Sequence, residues 1–152
     1  MNQLEILGQT ALAMLLGAFI GLDREFARKP AGLRTHMLVA GAAALIVNLA
    51  GVAALHFEDL IGTTYLSADP IRIFVAVITG ISFLGAGTII RQAQETRIEG
   101  LTTASALLFS AVIGMAVALA QYVLAIGATG LAIATLWIIA RIEQWIHRHR
   151  GS

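Results

Sequence analysis

The residues able to do chemistry in this chain fall into a few short clusters. In the first, Asp23, Arg24 and Glu25 stand together, and Arg28, Lys29, Arg34 and His36 follow closely around Pro30 and Gly32. Such a segment is suited to a docking or ion-sensing loop. It is equally suited to holding membrane topology with local ion pairs, each worth about 0–1 kcal/mol when exposed. Asp23 and Glu25 alone make a poor hard-cation site. Mg²⁺ is often held by one or two carboxylates plus waters, but here neighbouring cations compete for the same carboxylates. Which metal, if any, the chain binds stays open at this point.

The second cluster is Asp69-Pro70-Ile71-Arg72. Asp is favoured at a helix N-cap and Pro at the first helical position. Residues three apart on a helix can also face each other. A cap plus an ion pair explains both charges; an outward-facing pair at the mouth of an ion or proton path is the functional alternative. The third cluster runs from Thr79 through Gly80, Gly85 and Gly87 to Arg91. Its glycines admit a neighbouring helix or let the helix unwind. A fourth segment, Gly100-Leu101-Thr102-Thr103-Ala104-Ser105, opens an apolar run with hydroxyls. These can cap a helix start or bond back to its carbonyls.

Enzyme chemistry finds no footing. The chain has no cysteine, and none of its four histidines stands at metalloprotease spacing from a Glu and a second His. No P-loop is present. Mid-span carboxylates, which a proton relay needs, are missing from the apolar runs. No catalytic residue and no cofactor are expected.

These clusters must be positioned by apolar elements. The chain has 152 residues, 58% hydrophobic and 12% charged, with a mean hydropathy of +0.82. A soluble domain is about 45–50% apolar and about 25% charged. A net charge of +1 gives no footprint for nucleic acid, which wants a clustered basic face. The composition is that of an integral membrane protein. A spanning helix needs about 20 apolar residues, and five stretches qualify, near 4–22, 36–55, 71–90, 101–120 and 122–140. Backbone polar groups in lipid must be satisfied internally, so these should be helices. The spectrum of short connections leaves residues 1–140 as one five-helix transmembrane domain and 141–152 as a short basic tail. All Lys and Arg except Arg72 fall in segments that five crossings put on one side. The positive-inside rule makes that side cytoplasmic, with the N-terminus out and the C-terminus in.

Lipid removes the hydrophobic drive between helices, so small residues mark close approach. Gly17 and Gly21 form such a pair, and Ala106, Ser110, Gly114 and Ala118 form a ladder. They read as packing within one protomer or as a face for a partner or a homodimer.

Taken in order, the motifs resemble one family. They are Gly21-Leu22-Asp23-Arg24-Glu25, Lys29-Pro30-Ala31-Gly32-Leu33-Arg34-Thr35-His36, Asp69-Pro70-Ile71-Arg72-Ile73, the run from Gly80 to Ile89 containing Phe83-Leu84-Gly85-Ala86-Gly87-Thr88, and Gly100-Leu101-Thr102-Thr103-Ala104. This series resembles the MgtC/SapB family. The resemblance implies a multi-pass protein of the bacterial cytoplasmic (inner) membrane, with five helices and a cytoplasmic C-terminus. It also implies a role tied to Mg²⁺ limitation and stress adaptation, exerted as a regulator of other membrane proteins. Because the sequence stops at Ser152, it resembles shorter, SapB-type members without a C-terminal cytoplasmic domain. It departs from the family pattern at Ser82, where Gly is usual, and at Thr102, where some members carry Asn.

The expected protein is therefore an all-α, five-helix membrane protein acting as a non-enzymatic regulator. Its expected partners are membrane lipid and another integral membrane protein, with a homodimer as a further arrangement open to it. The alternative is a small ion pathway with Asp69 and Arg72 at its outer mouth.

Overall fold

The computed structural model describes residues 2–61, 69–92 and 100–150, with side chains at all of these except 58, 61, 70, 90–92 and 143–150. These residues form five helices: α1 (Gln3–Phe26), α2 (Leu33–Ile61), α3 (Pro70–Gln92), α4 (Leu101–Ala118) and α5 (Tyr122–Arg150). No strand occurs among the described residues. Each helix contains a stretch long and apolar enough to cross a membrane.

The helix ends follow local chemistry. Asn2 caps α1, its side chain accepting from the Leu4 amide at 3.4 Å. Asp69 caps α3, with Oδ1 accepting from the Ile71 amide at 3.0 Å. Gly100 precedes α4 at φ 106°, a left-handed conformation that suits glycine. A tight turn through Leu119, Ala120 and Gln121 reverses the chain into α5. There the Gln121 amide bonds to the Ala116 carbonyl at 2.9 Å.

Several helix ends differ from the hydropathy reading, α2 among them, which runs on to Ile61. Helix α1 runs past the apolar stretch to Phe26, so Asp23, Arg24 and Glu25 are helical rather than in a connecting loop. A cation in the last turn complements the negative end of the helix dipole. Glu25 then reaches across the connection, its Oε2 accepting from the Leu33 amide at 3.0 Å. That bond satisfies one of the free donors at the start of α2. Helix α2 correspondingly begins at Leu33, which brings Arg34 and His36 into its first turns. At the far end, α5 continues as helix through the basic segment to Arg150.

Helices α1, α2 and α4 form the centre. Helix α3 packs on α4 and to a lesser degree on α2, and α5 packs on α1 and α4. Of the α4 span, 61% is buried, against 11% of α3 and of α5. The core is built of small and branched side chains. Ala13, Leu16 and Ile20 of α1 meet Ala40 and Ala44 of α2 and Ile113 and Val117 of α4. A second cluster joins Val39 and Ala43 to Leu107, Ala111 and Val77.

The glycines explain how the backbones come so close. A Cβ on Gly17 would lie 2.5 Å from the His36 carbonyl oxygen, and one on Gly21 would lie 2.7 Å from Leu33 Cα. A Cβ on Gly114 would collide with the Ala40 carbonyl. All three therefore seat α1 and α4 against α2 within one protomer. Gly85 makes a looser approach, 3.2 Å from Ala104 Cβ.

Candidate functional site

Among the described residues, seven polar or charged side chains are buried: Gln9, Arg24, His36, Asn48, Thr103, Ser110 and Thr129. Six of them form two groups at opposite ends of the central helices. Gln9 and Arg24 both lie on α1, and the rise between them is about 22 Å at 1.5 Å per residue. The core residues Ala13, Leu16, Ile20, Ala40 and Ala44 fill the interval. Thr129, the seventh, bonds back to the Ala125 carbonyl of its own helix.

At one end, three helices exchange hydrogen bonds. Asn48 Nδ2 donates to Gln9 Oε1 at 2.9 Å, and Gln9 Nε2 donates to the Tyr122 hydroxyl at 3.1 Å. This ties α1, α2 and α5 together and leaves no buried amide atom without a partner.

The other end is built from α1, α2 and α4. His36 is fully buried, and its Nδ1 lies 2.8 Å from Ser110 Oγ. Arg24 is 6% exposed, and its Nη2 donates to Thr103 Oγ1 at a long 3.5 Å. Thr103 and Ser110 stand two turns apart on one face of α4, so the two contacts are stacked about 10 Å apart. Unlike the amide end, this one is incomplete. Arg24 Nε and His36 Nε2 are both buried with no hydrogen-bond partner. The single ion pair among the described residues lies elsewhere, between Arg72 and Asp69. A buried guanidinium without a carboxylate is costly unless something else supplies acceptors.

The structure distributes the sequence candidates unevenly. It brings Arg24, His36 and Ser110 into the incomplete polar end, beside Gly17 and Gly21. Asp23 lies half-buried on a neighbouring face, Glu25 caps α2, and Lys29 and Arg34 are exposed. Asp69 and Arg72 are 3.8 Å apart, with Arg72 88% exposed. Gly80 and Gly87 face open space, with nothing within 4 Å of an added Cβ. The side chain of Arg91 lies outside those described. Among the described residues no group of three His, Asp or Glu is placed to hold a metal ion.

Gln9 and Asn48 carry no motif in the sequence, and Thr103 stands there only as one of a run of hydroxyls. The signal for the amides was present: a Gln and an Asn within apolar spans must find partners across helices. Which partners they find depends on how the helices turn toward one another.

The MgtC family model matches residues 10–145. Protein MgtC of Salmonella typhimurium LT2 is 37% identical over 136 residues, covering 90% of this chain and 53% of that protein. Protein SapB of Bacillus subtilis 168 is 32% identical over 149 residues, covering 97% of this chain and 60% of SapB. The putative magnesium transporter YhiD of Escherichia coli K12 is 33% identical over 138 residues, covering 91% of this chain and 62% of YhiD. The chain thus spans less than two-thirds of the length of these relatives, SapB included. No solved structure matches. With five membrane-crossing helices and a family match along most of its length, the chain is a multi-pass membrane protein that belongs to the MgtC family.

Proposed function

We propose that this chain acts in the bacterial cytoplasmic membrane as a non-enzymatic regulator. It would bind another integral membrane protein under Mg²⁺ limitation. The observation that carries this reading is the open face of α3. Gly80, Phe83, Leu84 and Gly87 recur at helical spacing, Phe83 is 81% exposed, and nothing lies within 4 Å of either glycine position. A large ring between two small residues is a shape that a neighbouring helix can grip in lipid, where close packing rather than hydrophobicity drives association. Gly17, Gly21 and Gly114 are not available for this purpose, because α2 already fills the space beside them.

The magnesium in the name of the Escherichia coli relative raises the alternative of an ion pathway. The polar layout favours it less. The two buried polar groups are separated by an apolar layer, and Asp69 and Arg72 form an exposed surface pair rather than the lining of a channel.

Purification from Mg²⁺-limited cells, with Gly80→Leu/Gly87→Leu as the comparison, tests the reading. One membrane complex should be enriched by the native chain and lost from the folded double variant. Equal capture by both would remove the α3 face from the reading, and Mg²⁺ or proton flux in liposomes that falls in Asp69→Asn would replace the regulator with a pathway.

A further inference from the structure

Arg24 is the least explained side chain among the described residues. A guanidinium has five N–H donors in a planar fork. Here it makes a single long bond to Thr103, its Nε has no partner, and no carboxylate among the described residues pairs with it. Of the two acids beside it in sequence, Asp23 lies half-buried on a neighbouring face, too far for an ion pair, and Glu25 already accepts from the Leu33 amide. Among the described residues, nothing supplies the acceptors that its remaining donors need.

A second feature adjoins it. Between α1, α4 and α5 lies an apolar cleft of about 460 Å³, lined by Ile20, Ser105, Ala106, Phe109, Leu131 and Leu136 among others. That volume falls within the range of about 300–1,000 Å³ typical of small-molecule sites. Lining residues of the cleft stand within one turn of Arg24 and of Thr103 on their own helices. Ile20 stands one turn before Arg24 on α1, and Ala106 stands one turn after Thr103 on α4. On α5, Arg141 follows the cleft wall and lies over the Trp137 ring at 4.6 Å, a cation–π contact that steadies a second positive charge near the same end.

We propose that this end of the bundle is a binding site for one anionic phospholipid. Its phosphate is held by the Arg24 guanidinium, and an acyl chain lies in the α1/α4/α5 cleft. Charge complementarity selects this occupant. Arginine matches phosphate oxygens in a bidentate geometry, and basic pockets between transmembrane helices take anionic head groups. The apolar walls suit a hydrocarbon tail, whereas a free anion would leave them unfilled. The site goes beyond the regulator reading and does not depend on it.

The test uses the full chain in nanodiscs of phosphatidylcholine alone or with a quarter phosphatidylglycerol, followed by native mass spectrometry of the lipid retained after mild detergent release. The native chain should retain phosphatidylglycerol about 10-fold over phosphatidylcholine, the worth of roughly one charge-assisted bond. Arg24→Gln should abolish that preference, and the exposed Arg28→Gln should keep it. Ser105→Phe, which fills the cleft from an exposed position, should reduce retention of phosphatidylglycerol while leaving Arg24 intact. It decides the matter if Arg24→Gln fails to fold. No preference in the native chain overturns the proposal, as does preference retained in folded Arg24→Gln or full retention in Ser105→Phe. Inorganic phosphate that stabilises the chain in pure phosphatidylcholine as strongly as phosphatidylglycerol does would also overturn it, in favour of a free-anion site.

Discussion

The two polar ends of the central bundle are built by the same helices and solve opposite problems. At the Gln9 end, neutral amides and a phenol close on one another across α1, α2 and α5. At the Arg24 end, a cation and an imidazole are buried as deeply, yet each keeps a nitrogen without a partner. Neutral groups that satisfy each other lock register at little cost. A charged group left incomplete weakens the fold by itself and is stabilised only when a ligand completes it. The contrast separates a structural fastening from a candidate binding site more clearly than residue type does, because both ends are equally polar by composition.

The comparison can be broken most severely at Gly17. Gly17→Val places branched carbon against the His36 carbonyl and should lower unfolding stability in nanodiscs by about 3 kcal/mol, at the upper end of ordinary overpacking. Gly127→Val, where an added Cβ meets nothing within 4 Å, is its control and should leave the thermal midpoint unchanged. A similar loss in both would mean that glycine matters generally here rather than through the close approach of α1 to α2.

His36→Ala comes next. It opens a cavity at a fully buried position and strands Ser110, for a loss of about 2 kcal/mol in the same measurement. A double-mutant cycle with Ser110→Ala should show coupling between the two; simple additivity would dissolve the contact.

The sharpest contrast is one of sign. Asn48→Leu leaves Gln9 Oε1 without its donor and should cost about 1 kcal/mol. Arg24→Met removes an unpaired buried cation and should raise stability by about 1 kcal/mol in phosphatidylcholine. Destabilisation by both substitutions would erase the distinction between the two ends. The smallest effect belongs to the exposed pair at the start of α3. Arg72→Ala should shift stability by less than about 0.5 kcal/mol, as surface ion pairs do. A larger shift would restore Asp69 and Arg72 as more than a cap and its neighbour.

Parts of this were legible without coordinates. The Asp69 cap needs only Asp, Pro and a following apolar run, and it forms where those residues stand. Arg24 and His36 were legible as candidates within a charged motif, but not as buried neighbours of α4. Nor did their spacing separate Arg24 from Asp23 beside it. One residue is about 100° of helix rotation, and that rotation puts Arg24 inside while leaving Asp23 half-buried. Gly17 and Gly114 carried the packing signal without saying whether the neighbour was α2 or another protein.

The sequence by itself determined the membrane class, the five helices and the family motifs. Hydropathy over a bilayer's thickness and capping within one turn are local properties, read along a single segment. Only the tertiary structure decided that Gln9 meets Asn48 and Tyr122, that Arg24 is left incomplete against Thr103, and that α3 keeps an open face. In lipid no hydrophobic force chooses which side of an apolar helix turns inward. Rotation and register are settled instead by the fit of small residues and the pairing of a few polar groups, which no segment can settle alone.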